Sequence, residues 1–167
     1  MLYIRKAEPE DLEEIAQVHT DAWLAAYKHI FSARDLARGS LDARRSQWRE
    51  RLAQKEHGHY VAAEQGDIVG FFTLAQPQDK DLPEGTLELE AIYFSPAQWR
   101  KGYGTQCLSF IMSQAREGGK THISLWVLRD NHSAAAFYEK IGFYSDGCQR
   151  PVGPGSEVLE NRWILAL

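Results

Sequence analysis

Between residues 86 and 142 the sequence alternates strand-like and helix-like segments, with glycines closing both helices, and few architectures accept that order. TLELEAIYF (86–94) sets apolar against polar residues in alternation, the pattern of a strand. GYGTQCLSFIMSQAREGG reads as a helix stopped by Gly118-Gly119, HISLWVL (122–128) as another strand, and SAAAFYEKIG (133–142) as a helix ending at Gly142. Upstream, residues 2–6 look like a short opening strand. Leu12, Ile15, His19, Ala22, Trp23 and Ala26 recur at helical spacing, so a helix begun by Pro9-Glu-Asp should run to about Tyr27. A second helical stretch over 33–54 is broken at Gly39-Ser40. YVAAE (60–64), a turn at 65–67 and IVGFFTLA (68–75) read as a hairpin, and further strands are expected around 143–149 and 157–166. The sum is an α/β (α+β) sheet packed between helices.

Composition narrows the function classes. A chain of 167 residues fits one domain, 1–167, with enough length to bury a core without metal or disulfide staples. Lys and Arg number 19 against 23 Asp and Glu, and no basic block stands out, which argues against nucleic-acid binding. No run approaches the ~18 apolar residues of a membrane span. The N-terminus is acidic where a secretory signal would be apolar, so a cytoplasmic protein is expected. Cys107 and Cys148 are too few for a disulfide scaffold, and His57, His59, His122 and His132 lack metal-ligand spacing, so no metal is expected.

The most informative segment is SPAQWRKGYGTQCL, a loop leading to two glycines at a helix start. Glycines let backbone approach a ligand, and the free N–H groups and dipole of a helix start favour phosphate. Arg100 and Lys101 add positive charge beside that opening. A flexible turn that merely starts a helix is the plainer reading of Gly102 and Gly104. Two phosphate motifs fail on spacing: no lysine follows the second glycine as a Walker A loop needs, and Cys107 stands where a dinucleotide fingerprint needs its third glycine.

The same segment resembles motif A of the GCN5-related N-acetyltransferase (GNAT) family, whose Pro-containing loop and R/Q-x-x-G-x-G/A turn hold the pyrophosphate of acetyl-CoA. ISLWVLRDNHSAAAFYEKIGF resembles motif B, and it follows in the family's order. The Val69-Gly70-Phe71 step on the preceding strand agrees, while Trp99 stands where the family usually has Gln or Arg. The resemblance implies a mixed, mostly antiparallel sheet of six to seven strands flanked by helices, with a splayed central strand pair. It implies that pantetheine pairs with backbone of Ile92, Tyr93 and Phe94. Arg100, Lys101, Gly102, Tyr103, Gly104 and Thr105 would meet the pyrophosphate, and Asn131, Ser133 and Ala134 would contact CoA as well. Asn131 also suits a helix N-cap.

By the family's chemistry a neutral amine attacks the thioester directly, which calls for a proton acceptor, an oxyanion donor and an acid for the leaving thiolate. Tyr138 stands at the position of the family's general acid; a half-buried packing tyrosine is the plainer alternative. Glu88 and Glu90 lie two apart on one face of their strand, and either of them, or a chain of waters, would serve as base. Trp23 and Tyr27, with Phe31 and Trp48, supply aromatic surface for an acceptor, although an aromatic run at helical spacing also suits a core. Cys107 lacks a neighbouring histidine and reads as core rather than as a covalent relay. The implied reaction is acetyl transfer from acetyl-CoA to a primary amine, on a small molecule (polyamine-like, an amino-acid derivative or an antibiotic) or on a peptide N-terminus. ELEAIYF and the aromatic first helix look most like the subgroup that includes polyamine-acetylating enzymes. A homodimer would be in keeping with the family. The competing class is an acyl-CoA-binding sensor without turnover.

Overall fold

A computed structural model describes residues 1–55 and 58–167; Glu56 and His57 lie outside the described residues. The described residues form seven strands and five α-helices, which fall into two compact units.

The first unit comprises residues 1–74 and 91–107. Strand β1 (Tyr3–Lys6) pairs antiparallel with β2 (His59–Glu64), which pairs antiparallel with β3 (Asp67–Ala75). The β2–β3 turn is Gln65-Gly66, both at positive φ, which matches the right-handed twist of the strands it joins. Helices α1 (Leu12–Tyr27) and α3 (Leu41–Leu52) supply Ile15, Ala16, Val18, Trp48 and Leu52 to a buried cluster completed by Val61, Ile68 and Phe71 from the sheet. Each such large side chain contributes roughly 1.5–3 kcal/mol on burial. Helix α3 has a thin apolar face, so Trp48 and Leu52 carry its attachment to the core.

The break anticipated at Gly39-Ser40 separates α3 from the short α2 (Ala33–Ala37), and Ser40 caps α3 by accepting from the Ala43 N–H. Gly39 is also needed for space. A Cβ there would lie 2.7 Å from the Trp23 ring.

Strand β4 (Thr86–Phe94) begins in the second unit, which comprises residues 75–90 and 108–167, and ends in the first. Helix α4 (Tyr103–Glu117) crosses between the units in the opposite direction along the chain. Within the second unit β4 pairs parallel with β5 (His122–Leu128), β5 pairs antiparallel with β7 (Leu159–Ala166), and β7 with β6 (Tyr144–Pro151). The sheet is therefore mixed, and the last strand of the chain lies between β5 and β6. The β4–β5 ladder runs from Thr86↔His122 to Glu88↔Ser124 and stops, although β5 continues to Leu128 with β7 alone. That is the splayed pair. Helix α5 (His132–Ile141) ends in Gly142 at φ +115, a left-handed cap that glycine adopts without steric cost.

Arg162 of β7 anchors the loop ahead of β4: its buried guanidinium bonds both carboxylate oxygens of Asp81, at 2.8 and 2.6 Å, and Asp146 of β6 at 2.7 Å. No helix of the described residues is long and apolar enough to cross a membrane.

Candidate active site

The end of β4 and the start of α4 hold one group of candidate residues, within the first unit. Gly70 of β3 admits the end of β4: a Cβ there would fall 2.3 Å from the Phe94 ring and 2.8 Å from the Tyr93 carbonyl. Ser95 N–H donates to the Val69 carbonyl at 2.9 Å. Trp99, exposed where the family usually has Gln or Arg, donates its indole N–H to the Phe94 carbonyl at 2.8 Å. Trp99 thus fixes the exit of the strand, and the Phe94 carbonyl has one partner within the chain. Tyr103 is buried and hydrogen-bonded to Glu64, which holds its phenol in the protonated form.

Arg100 and Gly102 both adopt positive φ, +65 and +82, on either side of Lys101. Alternating handedness of this kind turns successive N–H groups toward one side and makes an anion-receiving concavity. Among the described residues, no N–H from Arg100 to Thr105 donates to a carbonyl of the chain; the first to do so is Gln106, to Gly102. Free donors, a helix start and two basic residues together suit a diphosphate. Gly102→Val should weaken CoA binding about tenfold or more, since one or two charge-assisted hydrogen bonds are lost. Nothing crowds Gly102, so the φ strain, about 1–2 kcal/mol, is the main cost to folding. Calorimetric titration beside a thermal melt checks this, and an unchanged Kd would remove the loop from the binding account.

Deeper in the same unit, His19 of α1 is buried against Trp48, Phe71 and Tyr93, and its Nδ1 accepts from the Trp48 indole at 3.1 Å. Burial, helped by the charges of Arg44 and Arg51, pushes the imidazole down to about 2. It is a neutral packing residue. Below pH 6.5 the unfolded chain gains a proton that the folded one refuses, so stability should fall as pH drops toward the folded value. The slope is at most about 1.4 kcal/mol per pH unit from this group. Chemical denaturation between pH 7 and 5 should show a shallower dependence for His19→Gln; an identical slope would contradict the assignment.

Trp23 and Tyr27, expected to face an acceptor, are partly exposed and form a cluster with Phe31, with Trp23 and Phe31 stacked at 5.3 Å. Trp48, grouped with them on sequence, is instead core, 1% exposed. Arg44 of α3 lies over the Trp23 ring, 5.4 Å from its centroid. Sequence reading passed over Arg44, because one arginine in RRSQWRER cannot be told from its solvated neighbours by spacing. Cys107 is fully buried, and burial raises its thiol to about 12, which rules out a ready thiolate.

The second unit holds the remaining candidates. Glu88 is half-buried and its carboxyl is raised above the ordinary value, chiefly by burial, against the pull of Arg150. Glu90 is exposed. Opposite Glu88 in the ladder stands Ser124, fully buried, whose Oγ has no partner among the described residues. Tyr138 is buried on α5 with its ring edge-on to Phe137 and Phe143, at 5.2 and 5.5 Å. Asn131 is the N-cap of α5, accepting from the Ala134 N–H at 3.2 Å, while Ser133 is exposed in the first turn. Among the described residues, no cluster of three His, Cys, Asp or Glu side chains could hold a metal ion.

These features agree with comparisons to known proteins. The sequence profile of the acetyltransferase (GNAT) family matches residues 12–143. An uncharacterised N-acetyltransferase of Bacillus subtilis, YuaI, is 29% identical over 141 residues, 83% of this chain and 78% of that protein. A PaiA N-acetyltransferase from Thermoplasma acidophilum, solved with coenzyme A, superposes with a TM-score of 0.76 at 21% identity, over 100% of this chain and 99% of that one. The ribosomal-protein-S18-alanine N-acetyltransferase of Escherichia coli superposes at 0.70 with 19% identity, over 99% and 94% of the two chains. The chain therefore belongs to the acetyltransferase (GNAT) family and is an N-acetyltransferase.

Proposed function

We propose that the chain, acting over 1–167 as one catalytic domain, moves an acetyl group from acetyl-CoA to a primary amine. The acceptor is a small molecule (polyamine-like, an amino-acid derivative or an antibiotic) or a peptide N-terminus. The observation that carries the proposal is the row of uncommitted N–H groups over 100–105, at the end of a strand whose ladder with β5 has already stopped. Those groups, with Arg100 and Lys101, would hold the diphosphate of CoA. Backbone of Ile92, Tyr93 and Phe94 would pair with pantetheine, and Asn131, Ser133 and Ala134 would add contacts. Trp23 and Tyr27 would border the acceptor.

Glu88, rather than Glu90, takes the proton from the acceptor ammonium, directly or through water, because burial raises its carboxyl toward the pH of use. The neutral amine then forms the amide bond as the carbon–sulfur bond breaks, and the nitrogen gives up its remaining extra proton to solvent. Tyr138 gives its phenolic proton to the departing thiolate and is later reprotonated from solvent. Free thiol release from acetyl-CoA, measured over polyamines, aminoglycosides, amino acids and short peptides, tests this reading. It predicts release with at least one acceptor class above acetyl-CoA alone. Silence across the panel by a protein that binds acetyl-CoA would favour a sensor instead.

A further inference from the structure

We propose that Ser124 is a positioning residue for the proton transfer: its hydroxyl donates to the Glu88 carboxylate, directly or across one water, and holds it toward the acceptor ammonium. The inference rests on the acetyl-transfer reading above and deepens it.

Ser124 carries the one hydroxyl in the otherwise apolar run from Ile123 to Leu128 of β5. It is fully buried, and its Oγ has no hydrogen bond among the described residues. A hydroxyl sealed from water without a partner is destabilising, and alanine would sit there without that cost. Buried groups of this kind find a partner in some state of the protein. The strand register gives the partner. Ser124 stands opposite Glu88 on the last rung of the β4–β5 ladder, where the two strands part, and residues so paired share one face of a sheet. On its other side β7 presents Ile164, which has no polar group on its side chain.

Other polar neighbours on that face are already engaged. Thr86 donates its hydroxyl to the Pro83 carbonyl at 2.6 Å, and His122 Nδ1 bonds the Thr121 hydroxyl at 2.9 Å. The Arg162 guanidinium is held by Asp81 and Asp146, and Glu90 is exposed. Trp126 also leaves its indole N–H buried without a partner, but an indole only donates and cannot receive the Ser124 proton. Glu88 is the acceptor that remains. Among the described residues no hydrogen bond reaches its carboxylate. Asp79 of the loop before β4, Glu90 of its own strand and Glu160 of β7 repel its charge, and Arg150 of β6 attracts it while bonded to Glu160 at 2.7 Å. A hydroxyl on the neighbouring strand thus supplies a donor that these charged groups do not. Ser124 neither gains nor loses a proton in this role; the proton from the ammonium ends on Glu88.

The test follows the Glu88 carboxyl carbon by NMR in the acetyl-CoA-free protein, its signal identified by its loss in Glu88→Gln, beside pH–rate profiles of thiol release. Ser124→Ala removes a donor to the charged form, so the Glu88 midpoint and the acidic limb of kcat/KM should both move up by about half to one pH unit. Near neutrality kcat/KM should fall about tenfold, with acetyl-CoA affinity held within about twofold. Ser124→Cys keeps the volume but donates poorly, so it should behave like Ser124→Ala. In the Glu88→Gln background Ser124→Ala should change the residual rate by less than about twofold, because the partner is already gone. An unmoved midpoint, or a wild-type rate profile in Ser124→Ala, would overturn the proposal and leave the acetyl-transfer reading in place. Full recovery by cysteine, or an equal loss in the Glu88→Gln background, would reduce Ser124 to packing. A midpoint that moves in a protein that turns over no acceptor would retain the Ser124–Glu88 contact and sink the acetyl-transfer reading instead.

Discussion

Tyr138→Phe should lower kcat by about a hundredfold or more while leaving acetyl-CoA affinity within about twofold, the signature of a lost general acid. The ring is buried and packed edge-on against Phe137 and Phe143, and phenylalanine reproduces those contacts. Only the hydroxyl goes, which limits the stability cost to about 1 kcal/mol. Rate loss therefore cannot be put down to a displaced helix. Single-turnover rates with saturating acetyl-CoA, set beside calorimetric Kd values, separate the two effects. An unchanged rate would remove Tyr138 from the mechanism; a rate lost together with binding would make it a structural residue.

Glu88→Gln carries the second large effect. Burial raises the Glu88 carboxyl above its ordinary value, so the wild-type rate should fall as pH drops through that raised value and the carboxylate takes up a proton. Gln cannot accept the proton at any pH. The variant should lose about a hundredfold in kcat/KM near neutrality, and its acidic limb should flatten. Glu90→Gln should keep the limb, because that side chain is exposed. If the limb persists in Glu88→Gln and vanishes in Glu90→Gln, the roles are reversed; if both keep it, water alone carries the proton.

Much of this architecture was legible in the sequence because it rests on local rules. Alternation in TLELEAIYF marks β4, the mostly apolar run HISLWVL matches β5, and Gly118-Gly119 and Gly142 mark the ends of α4 and α5. What stayed hidden depends on partners far along the chain. The late strands were visible, but not that β7 inserts between β5 and β6, since the sheet order is set by tertiary pairing. The break at Gly39 was visible as a helix stop, whereas its second role, giving Trp23 room, needs the packed structure. Glu88 and Glu90 looked equivalent by alternation; burial separates them. Arg44 was illegible for the same reason. Arg45 finds Glu13, 32 residues away, while Arg44 pairs with no acid among the described residues and lies over Trp23, and nothing in RRSQWRER says which is which.

The central claim is direct transfer of an acetyl group to an amine, and product stoichiometry tests it most directly. With labelled acetyl-CoA and a competent acceptor, amide and free thiol should appear in equal amounts, and intact-protein mass spectrometry during turnover should show no acetylated protein. The buried Cys107, its thiol raised to about 12, gives no reason to expect an acyl-enzyme. Thiol released without amide, or an acetyl group found on the protein ahead of the product, would contradict the account.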